Sequence, residues 1–234
     1  MLSPITPVRL AKWYSFDRIV AAGLKTSLSE GRTFVTGVLL DVGCGSKPYA
    51  PLFRDRVLWH WGVDLPNKLS ANQNPKNVDI YADLRNPLPF CDLSMDTVLC
   101  TEVIEHHSEP SFLFSEMCRV LNHGGHLILT APQVWGLHEE PYDYYRFTKY
   151  GLQHLAEKAG FEVIQIRPRG GLWAMVTQRI SSFLHFRFAK GRGSCWKLII
   201  GSLCLLVQIL GIVMDALFQH QGDTLGNTII ARKR

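Results

Sequence analysis

The sequence predicts an α/β protein built on one mostly parallel sheet, and three observations point there. Short apolar runs alternate with helical patterns from Val38 to Ile166, which is how a doubly wound sheet reads in sequence. The first run ends in a turn with two glycines, Gly43 and Gly45, before a short helix. Acids then follow the next two runs at equal intervals, Asp64 nineteen residues after Gly45 and Asp83 nineteen after that.

Leu10 to Leu28 has apolar residues at helical spacing, with Gly31 beyond its end. Val38 to Val42 is a buried strand, Pro48 to Arg54 a short helix, Leu58 to Val63 a second strand and Val78 to Ala82 a third. Thr97 to Thr101 is a fourth, and Ser108 caps a helix with Pro110 in its first turn that runs to Leu121. Asn122-His-Gly-Gly125 turns into the strand Leu127 to Ala131, Thr148 caps a helix ending at Gly160, and Phe161 to Ile166 is the next strand. Two long apolar stretches follow, Leu172 to Phe188 and Cys195 to Phe218, joined by Ala189-Lys-Gly-Arg-Gly-Ser194. Thr228 to Ala231 closes the chain as a last strand before Arg232-Lys-Arg234.

With 234 residues, the chain has room for one domain and an appendage. Its 47% hydrophobic and 19% charged residues exclude a disordered or collagenous chain. The six cysteines contain no C-x-x-C pair, so neither a zinc cage nor a secreted disulfide scaffold is expected. Met1 to Val20 carries Arg9, Lys12, Asp17 and Arg18 and lacks the apolar core of a signal peptide. Chemistry on the cytoplasmic side is the expectation.

Glycines at a strand-to-helix turn let a ligand lie against the backbone, where free N–H groups suit an anionic group. A dinucleotide fingerprint wants a third glycine where this chain has Pro48, which weighs against a nicotinamide or flavin. Asp64 is placed to accept ribose hydroxyls. Asp83 with Leu84 is placed to take an adenine amine and ring edge.

Asp41-Val-Gly-Cys-Gly45, Gly62-Val-Asp64, Asp83, Leu88-Pro-Phe90, Asp96 to His106, Glu116-Met-Cys-Arg-Val-Leu121 and Gly124-Gly-His-Leu-Ile-Leu129 resemble the class I S-adenosylmethionine-dependent methyltransferases, type 11 branch. The likeness runs over about residues 36 to 168 in unbroken order. Tyr142-Asp-Tyr-Tyr-Arg-Phe-Thr148, with Gly151-Leu152 and Ala159-Gly-Phe161, is similar to a bacterial subgroup associated with surface polysaccharide or lipid-linked glycan pathways. The resemblance implies a Rossmann-like, seven-stranded sheet, mostly parallel with an antiparallel last strand, preceded here by a hydrophobic helical insertion. It implies S-adenosyl-L-methionine as cofactor, with Asp41, Gly43 and Gly45 on its methionine part, Asp64 on the ribose, and Asp83 and Leu84 on the adenine. Thr101 and Glu102 would line the sulfonium.

In-line positioning and a base suffice when the nucleophile is a hydroxyl. His106 is the expected base; Glu102 and His107 are the other catalytic candidates. Glu102, Glu105 and His106 also resemble the E-x-x-E-H metal motif of small-RNA 2′-O-methyltransferases and some quinone-precursor O-methyltransferases, although no metal is assigned here. Trp135, His138, Tyr142, Tyr145 and Arg146, beyond the fifth strand, are the candidate substrate residues, suiting a ring-bearing or anionic acceptor. Tyr144, Tyr145 and Phe147 can equally anchor the next helix.

Between residues 172 and 218, Arg179, Arg187, Lys190, Arg192 and Lys197 stand against Asp215 alone, a net +4 of the chain's +5. Cations flanking apolar helices fit an anionic leaflet. A single crossing would strand the last sheet segment on the far side of the bilayer. That leaves an inserted hairpin, a pair lying in the interface, or a helical pair packed on a partner such as a second copy. The domain reading is 1–35 helical, 36–171 cofactor-binding core, 172–222 membrane-associating insertion and 223–234 final strand and basic tail. The expected function is methyl transfer to an oxygen of a glycan or lipid-linked intermediate at the cytoplasmic membrane face, without DNA. A metal-assisted RNA 2′-O-methyltransferase and a non-catalytic membrane adaptor are the alternatives.

Overall fold

The structure, a computed structural model, describes residues 15–65, 77–218 and 222–234. Seven strands form one sheet: β1 (Gly37–Val42), β2 (Val57–Asp64), β3 (Ile80–Tyr81), β4 (Met95–Thr101), β5 (Leu121–Pro132), β6 (Phe161–Arg169) and β7 (Gly226–Lys233). Their order is β3-β2-β1-β4-β5-β7-β6. The first five run parallel, and β7 is antiparallel to both β5 and β6. This is the Rossmann-like arrangement that the sequence predicts, down to the reversed last strand. The helices are α1 (Arg18–Gly31), α2 (Ala50–Phe53), α3 (Pro110–Val120), α4 (Lys149–Lys158), α5 (Leu172–Leu184) and α6 (Ser194–Leu217).

Side chains alternate across the sheet with the period of two that a pleat imposes. Leu40, Val98, Cys100, Leu127, Leu129 and Ile229 point into one core, with Leu113, Phe114 and Met117 of α3 and Leu152 of α4. Their neighbours Leu39, Leu99, Ile128 and Ile230 point the other way, onto Leu24 and Leu28 of α1 and Phe53 of α2. Truncating one of these fully buried leucines to alanine costs roughly 2–5 kcal/mol.

Three details depart from the sequence reading. Ser108 does not cap α3; the N-cap position is Glu109, and it makes no side-chain cap bond. The turn expected at Asn122–Gly125 is a bulge inside β5, because Met95 and Thr97 pair with Leu121 and His126. The first helix starts at Arg18; residues 10 to 14 of the helix expected from Leu10 lie outside the described residues. Thr148, by contrast, caps α4 by accepting from Gly151 N at 3.1 Å.

The parallel strands put the carboxyl ends of β1 to β5 on one edge, and β1 and β4 flank the point where strand order reverses, the usual ligand crevice of such sheets. The same edge carries the insertion. The chain leaves β6 at Arg169 and re-enters β7 at Gly226, and these two residues are paired with each other.

In between, α5 and α6 pack as an antiparallel hairpin whose two polar anchors explain themselves. Asp215 of α6 accepts from Gly171 N, Trp173 N and Ala174 N at 2.8–3.0 Å, capping α5 from across the hairpin with a charge of the right sign. Gln208 accepts from Ile19 N at 3.0 Å and donates to Phe16 O at 2.9 Å, satisfying the start of α1, whose own Asp17 makes no side-chain cap bond. The inward stripe of α6 is Ile200, Gly201, Cys204, Gln208 and Gly211. The opposite stripe, Ile199, Leu203, Leu206, Leu210, Val213 and Leu217, is exposed by 42–68%.

Candidate functional site

At the end of β1, Gly43 has φ +69°, and a Cβ there would stand 2.3 Å from Val103 Cγ2, so only glycine lets the chain turn under the β4 loop. Gly43 N and Cys44 N donate to Val63 O at 2.8 and 3.1 Å. Gly45 N donates to Asp64 Oδ2 and Leu65 N to Asp64 Oδ1, both at 2.7 Å. Nothing lies within 4 Å of where a Gly45 Cβ would be. The turn therefore offers an open backbone face beside a carboxylate whose oxygens each keep a second lone pair. Burial raises the Asp64 pKa.

The other residues expected at the cofactor divide. Asp41 is buried beneath the turn, with Oδ2 3.4 Å from His60 Nε2, and burial raises its pKa. Asp83 is gripped by Arg85, with Nε at 3.0 Å from both oxygens and Nη2 at 2.6 Å from Oδ2. That bond holds its carboxyl below the usual range, and a ligand amine there competes with the guanidinium. Leu84 is buried beside it. Thr101, at the end of β4, has a buried Oγ1 with no partner.

Across the crevice, Glu102 has φ +52° and gives Oε1 to Arg169 Nη2 at 2.7 Å. Arg169, 4% exposed, also donates to Ala131 O at 3.0 Å, and a Cβ on Gly226 would stand 2.2 Å from its Nη2. Glu102 is thus paired with buried Arg169 while its own partly exposed side chain lines the cleft. Sequence reasoning missed Arg169, since no local pattern joins residues 67 positions apart.

The catalytic reading of His107 is corrected. It is buried, Nδ1 accepts from Glu109 N at 3.0 Å and Nε2 bonds Leu84 O at 2.8 Å. Both ring nitrogens fasten the turn after β4. His106 is different: Nδ1 is 2.8 Å from Tyr142 O, and Nε2 faces inward, 3.8 Å from Glu105 Oε1.

Glu105 is fully buried and neither of its oxygens has a hydrogen-bond partner. Burial first, then the Glu102 charge, pushes its carboxyl well up. Buried His138 completes the group. Its Nδ1 lies 3.1 Å from Gly136 O and 3.3 Å from Asp143 Oδ2, its Nε2 has no partner, and its ring stands edge-on to His106 at 4.6 Å. Burial lowers its pKa.

In the loop after β5, Arg146 binds Asp143 with both nitrogens at 2.6 and 2.8 Å and also reaches Tyr145 O and Gly136 O. Burial would raise Asp143, but the Arg146 fork and the His138 amide outweigh it and bring the carboxyl down to about 2. Arg146 is spent on its own loop, which corrects its reading as an anion ligand. Tyr145 OH donates to Ser108 O at 3.0 Å, so this ring anchors the loop, and Tyr142 serves through its carbonyl with its ring exposed. Trp135 and His138 do line a small open cleft with Glu102 and with Val20, Ala21 and Leu24 of α1. Arg179 of α5, read from sequence as one of the insertion's cations, touches this loop, since a Cβ on Gly136 would stand 3.1 Å from its Nη1.

Comparison with known proteins agrees with this geometry. Residues 40–129 match the model of a family described as "Methyltransferase domain". An uncharacterized methyltransferase of Mycolicibacterium gilvum (strain PYR-GCK) is 30% identical over 173 residues, 65% of this chain and 68% of the relative. A Mycolicibacterium smegmatis protein named "Probable S-adenosylmethionine-dependent methyltransferase" is 30% identical over 133 residues, 53% of this chain and 52% of its own. The chain spans about half, 49–54%, of the length of the first curated relatives it matches, all mycobacterial. Among solved structures, the [4+2]-cyclase SpnF superposes with a TM-score of 0.60 at 21% identity, covering 91% of this chain and 81% of SpnF. At that identity the likeness concerns the fold alone, and one fold hosts many reactions.

Proposed function

Since the chain belongs to the methyltransferase domain family, we propose that it transfers the methyl group of S-adenosylmethionine to a hydroxyl oxygen of a glycan or lipid-linked acceptor at a membrane surface. When bound, S-adenosylmethionine supplies a methyl on sulfonium sulfur; the C–S bond breaks with its electron pair going to sulfur as the new C–O bond forms. The residues present fit it. The open backbone face at Gly45, reached by the turn that Gly43 allows, would take the methionine part, the free lone pairs of Asp64 the ribose hydroxyls, and Asp83 and Leu84 the adenine edge. The unpartnered Thr101 Oγ1, at the end of β4, would line the sulfonium.

His106 takes the acceptor's proton. With Nδ1–H donated to Tyr142 O, its Nε2 keeps a lone pair on the inner side. The observation that carries the membrane reading is the placement of the α5–α6 hairpin on the carboxyl edge with a bare apolar stripe. α6 is 24 residues long, about 36 Å at 1.5 Å per residue, and by length and composition it is apolar enough to cross a membrane. Its inner stripe is already committed to α1 and α5, and both ends of the insertion return to one sheet edge, which favours lying in the interface over crossing it. Arg187, Lys190, Arg192 and Lys197 near the hairpin tip suit an anionic leaflet.

The test is incubation of the full chain with methyl-labelled S-adenosylmethionine and either extracted membrane lipids or total RNA of the host cell. Label in the organic phase is expected. Label in RNA alone, or in neither, overturns the acceptor assignment.

A further inference from the structure

Independently of the acceptor, we infer that Glu105, His106 and His138 form a binding site for one divalent transition-metal cation of the zinc and cobalt class; in the metal-bound state His106 Nε2 is a ligand, and its role as a base belongs to the metal-free protein alone. A carboxylate oxygen of Glu105 and one ring nitrogen of each histidine all lie within 4.8 Å of one another. They come from two segments, the 3₁₀ turn Ile104–His106 after β4 and the loop after β5, that the sheet brings together.

What the cluster lacks is a donor. Each histidine has its Nδ1 at a backbone carbonyl, Tyr142 O for His106 and Gly136 O for His138. An imidazole that donates there carries a bare lone pair on Nε2. His106 Nε2 lies 3.8 Å from Glu105 Oε1, a ring nitrogen of His138 lies within 4.8 Å of both residues' ligand atoms, and His138 Nε2 and both Glu105 oxygens are buried and unbonded. Three acceptors thus face one another with no hydrogen between them, and buried polar groups are not normally left so. A proton on Glu105 could serve only one of the others, whereas a cation serves all three at about 2.0–2.2 Å.

The surroundings are those of ligating histidines, which pass their second N–H to a carbonyl or carboxylate that fixes the tautomer and the ring. His138 Nδ1 has Gly136 O and Asp143 Oδ2 for this, and Asp143 is itself held by Arg146 and by His138 N. The fork in this loop therefore has a purpose beyond anchoring it. Two imidazoles and one carboxylate select a borderline-soft transition metal, where Mg²⁺ and Ca²⁺ want oxygen ligands. Three protein ligands also leave a coordination position open, and His138 lines the cleft where a hydroxyl or water would take it.

The ligand set is not the one that sequence spacing suggests. Glu102, the first acid of the E-x-x-E-H run, is turned to Arg169, and His138, 32 positions beyond His106, takes its place.

The experiment is titration of the untagged full-length chain, dialysed against chelator, with Co²⁺ followed by visible absorption and with Zn²⁺ by equilibrium dialysis. One equivalent of either is expected to bind, with Zn²⁺ displacing Co²⁺ and excess Mg²⁺ failing to. Glu105→Gln, His138→Gln and the half-buried His106→Gln are each expected to weaken binding by more than the roughly 10–100-fold that loss of an outer partner costs, the loss predicted for Arg146→Met. Circular dichroism and S-adenosylhomocysteine binding of the variants report whether they are folded. No bound metal in the wild type, unchanged affinity in all three folded ligand variants, or Mg²⁺ displacing Co²⁺ as well as Zn²⁺ does would overturn the site.

Discussion

The two sides of the carboxyl edge are held together differently. On the cofactor side the contacts are made by backbone: Gly43 N, Cys44 N and Gly45 N meet the end of the neighbouring strand within about twenty residues of chain. On the acceptor side they are made by long side chains from remote segments, Arg169 to Glu102, Gln208 to α1 and Asp215 to α5. A site built from backbone tolerates most side-chain changes but not a changed glycine or carboxylate. One built from buried polar pairs fails wherever a single partner is lost.

The sharpest test of that contrast is Arg169→Met, which leaves the partly buried Glu102 unpaired. Removing one partner of a buried pair costs about 3–5 kcal/mol, so chemical denaturation should show a loss of that order, partly recovered by adding Glu102→Gln. A loss below 1 kcal/mol would mean the acceptor side does not lean on the pair. Asp64→Ala should do the reverse. Affinity for S-adenosylmethionine falls by roughly 1.5–3 kcal/mol, about ten- to a hundredfold by calorimetry, while the denaturation midpoint, with the caps on Gly45 N and Leu65 N lost, falls less than in Arg169→Met.

A pH prediction concerns Glu116, which accepts from Arg119 and from Leu88 N. The Arg119 hydrogen bond outweighs burial and lowers its pKa. A carboxyl depressed in the folded state adds stability above its ordinary titration range and loses it as pH falls below that range through the lowered value. Glu116→Gln should therefore destabilise the protein at neutral pH and flatten the acid limb of its stability curve; an unchanged limb would assign the acid sensitivity elsewhere. The smallest effect expected is for Asp215→Asn, which weakens the cap on α5 by about 1 kcal/mol and should show in hydrogen exchange at Trp173 and Ala174 before it shows in global unfolding.

The same contrast governs what the sequence discloses. Period-two alternation and two turn glycines suffice to read the sheet and its cofactor crevice, because Leu39–Val42 and Gly43–Gly45 carry their geometry locally. Nothing local says that Glu102 turns to Arg169, that Arg146 is consumed by Asp143, or that His107 is sealed against Leu84. Those facts depend on which loop lies over which. His138 is visible as a candidate, but its convergence with Glu105 and His106 is not, because it rests on the pairing of β4 with β5. The insertion's apolar character is plain in sequence, whereas its division into one face that caps two helices and one bare face appears only once α6 is docked. That division also argues against excising residues 172–222 as a separable unit, since α1 would lose Gln208.

The central claim, that the cofactor side is self-contained while the hairpin addresses a membrane, is tested most directly by co-sedimentation of the full chain with vesicles of zwitterionic lipid, with and without an anionic component. The account predicts that wild type pellets with anionic vesicles. It also predicts that Leu203→Gln, Leu206→Gln and Leu210→Gln together, on the bare stripe of α6, leave the protein in the supernatant with undiminished S-adenosylmethionine affinity. A wild-type chain that stays in the supernatant as a dimer, and becomes a monomer in the triple variant, would contradict it.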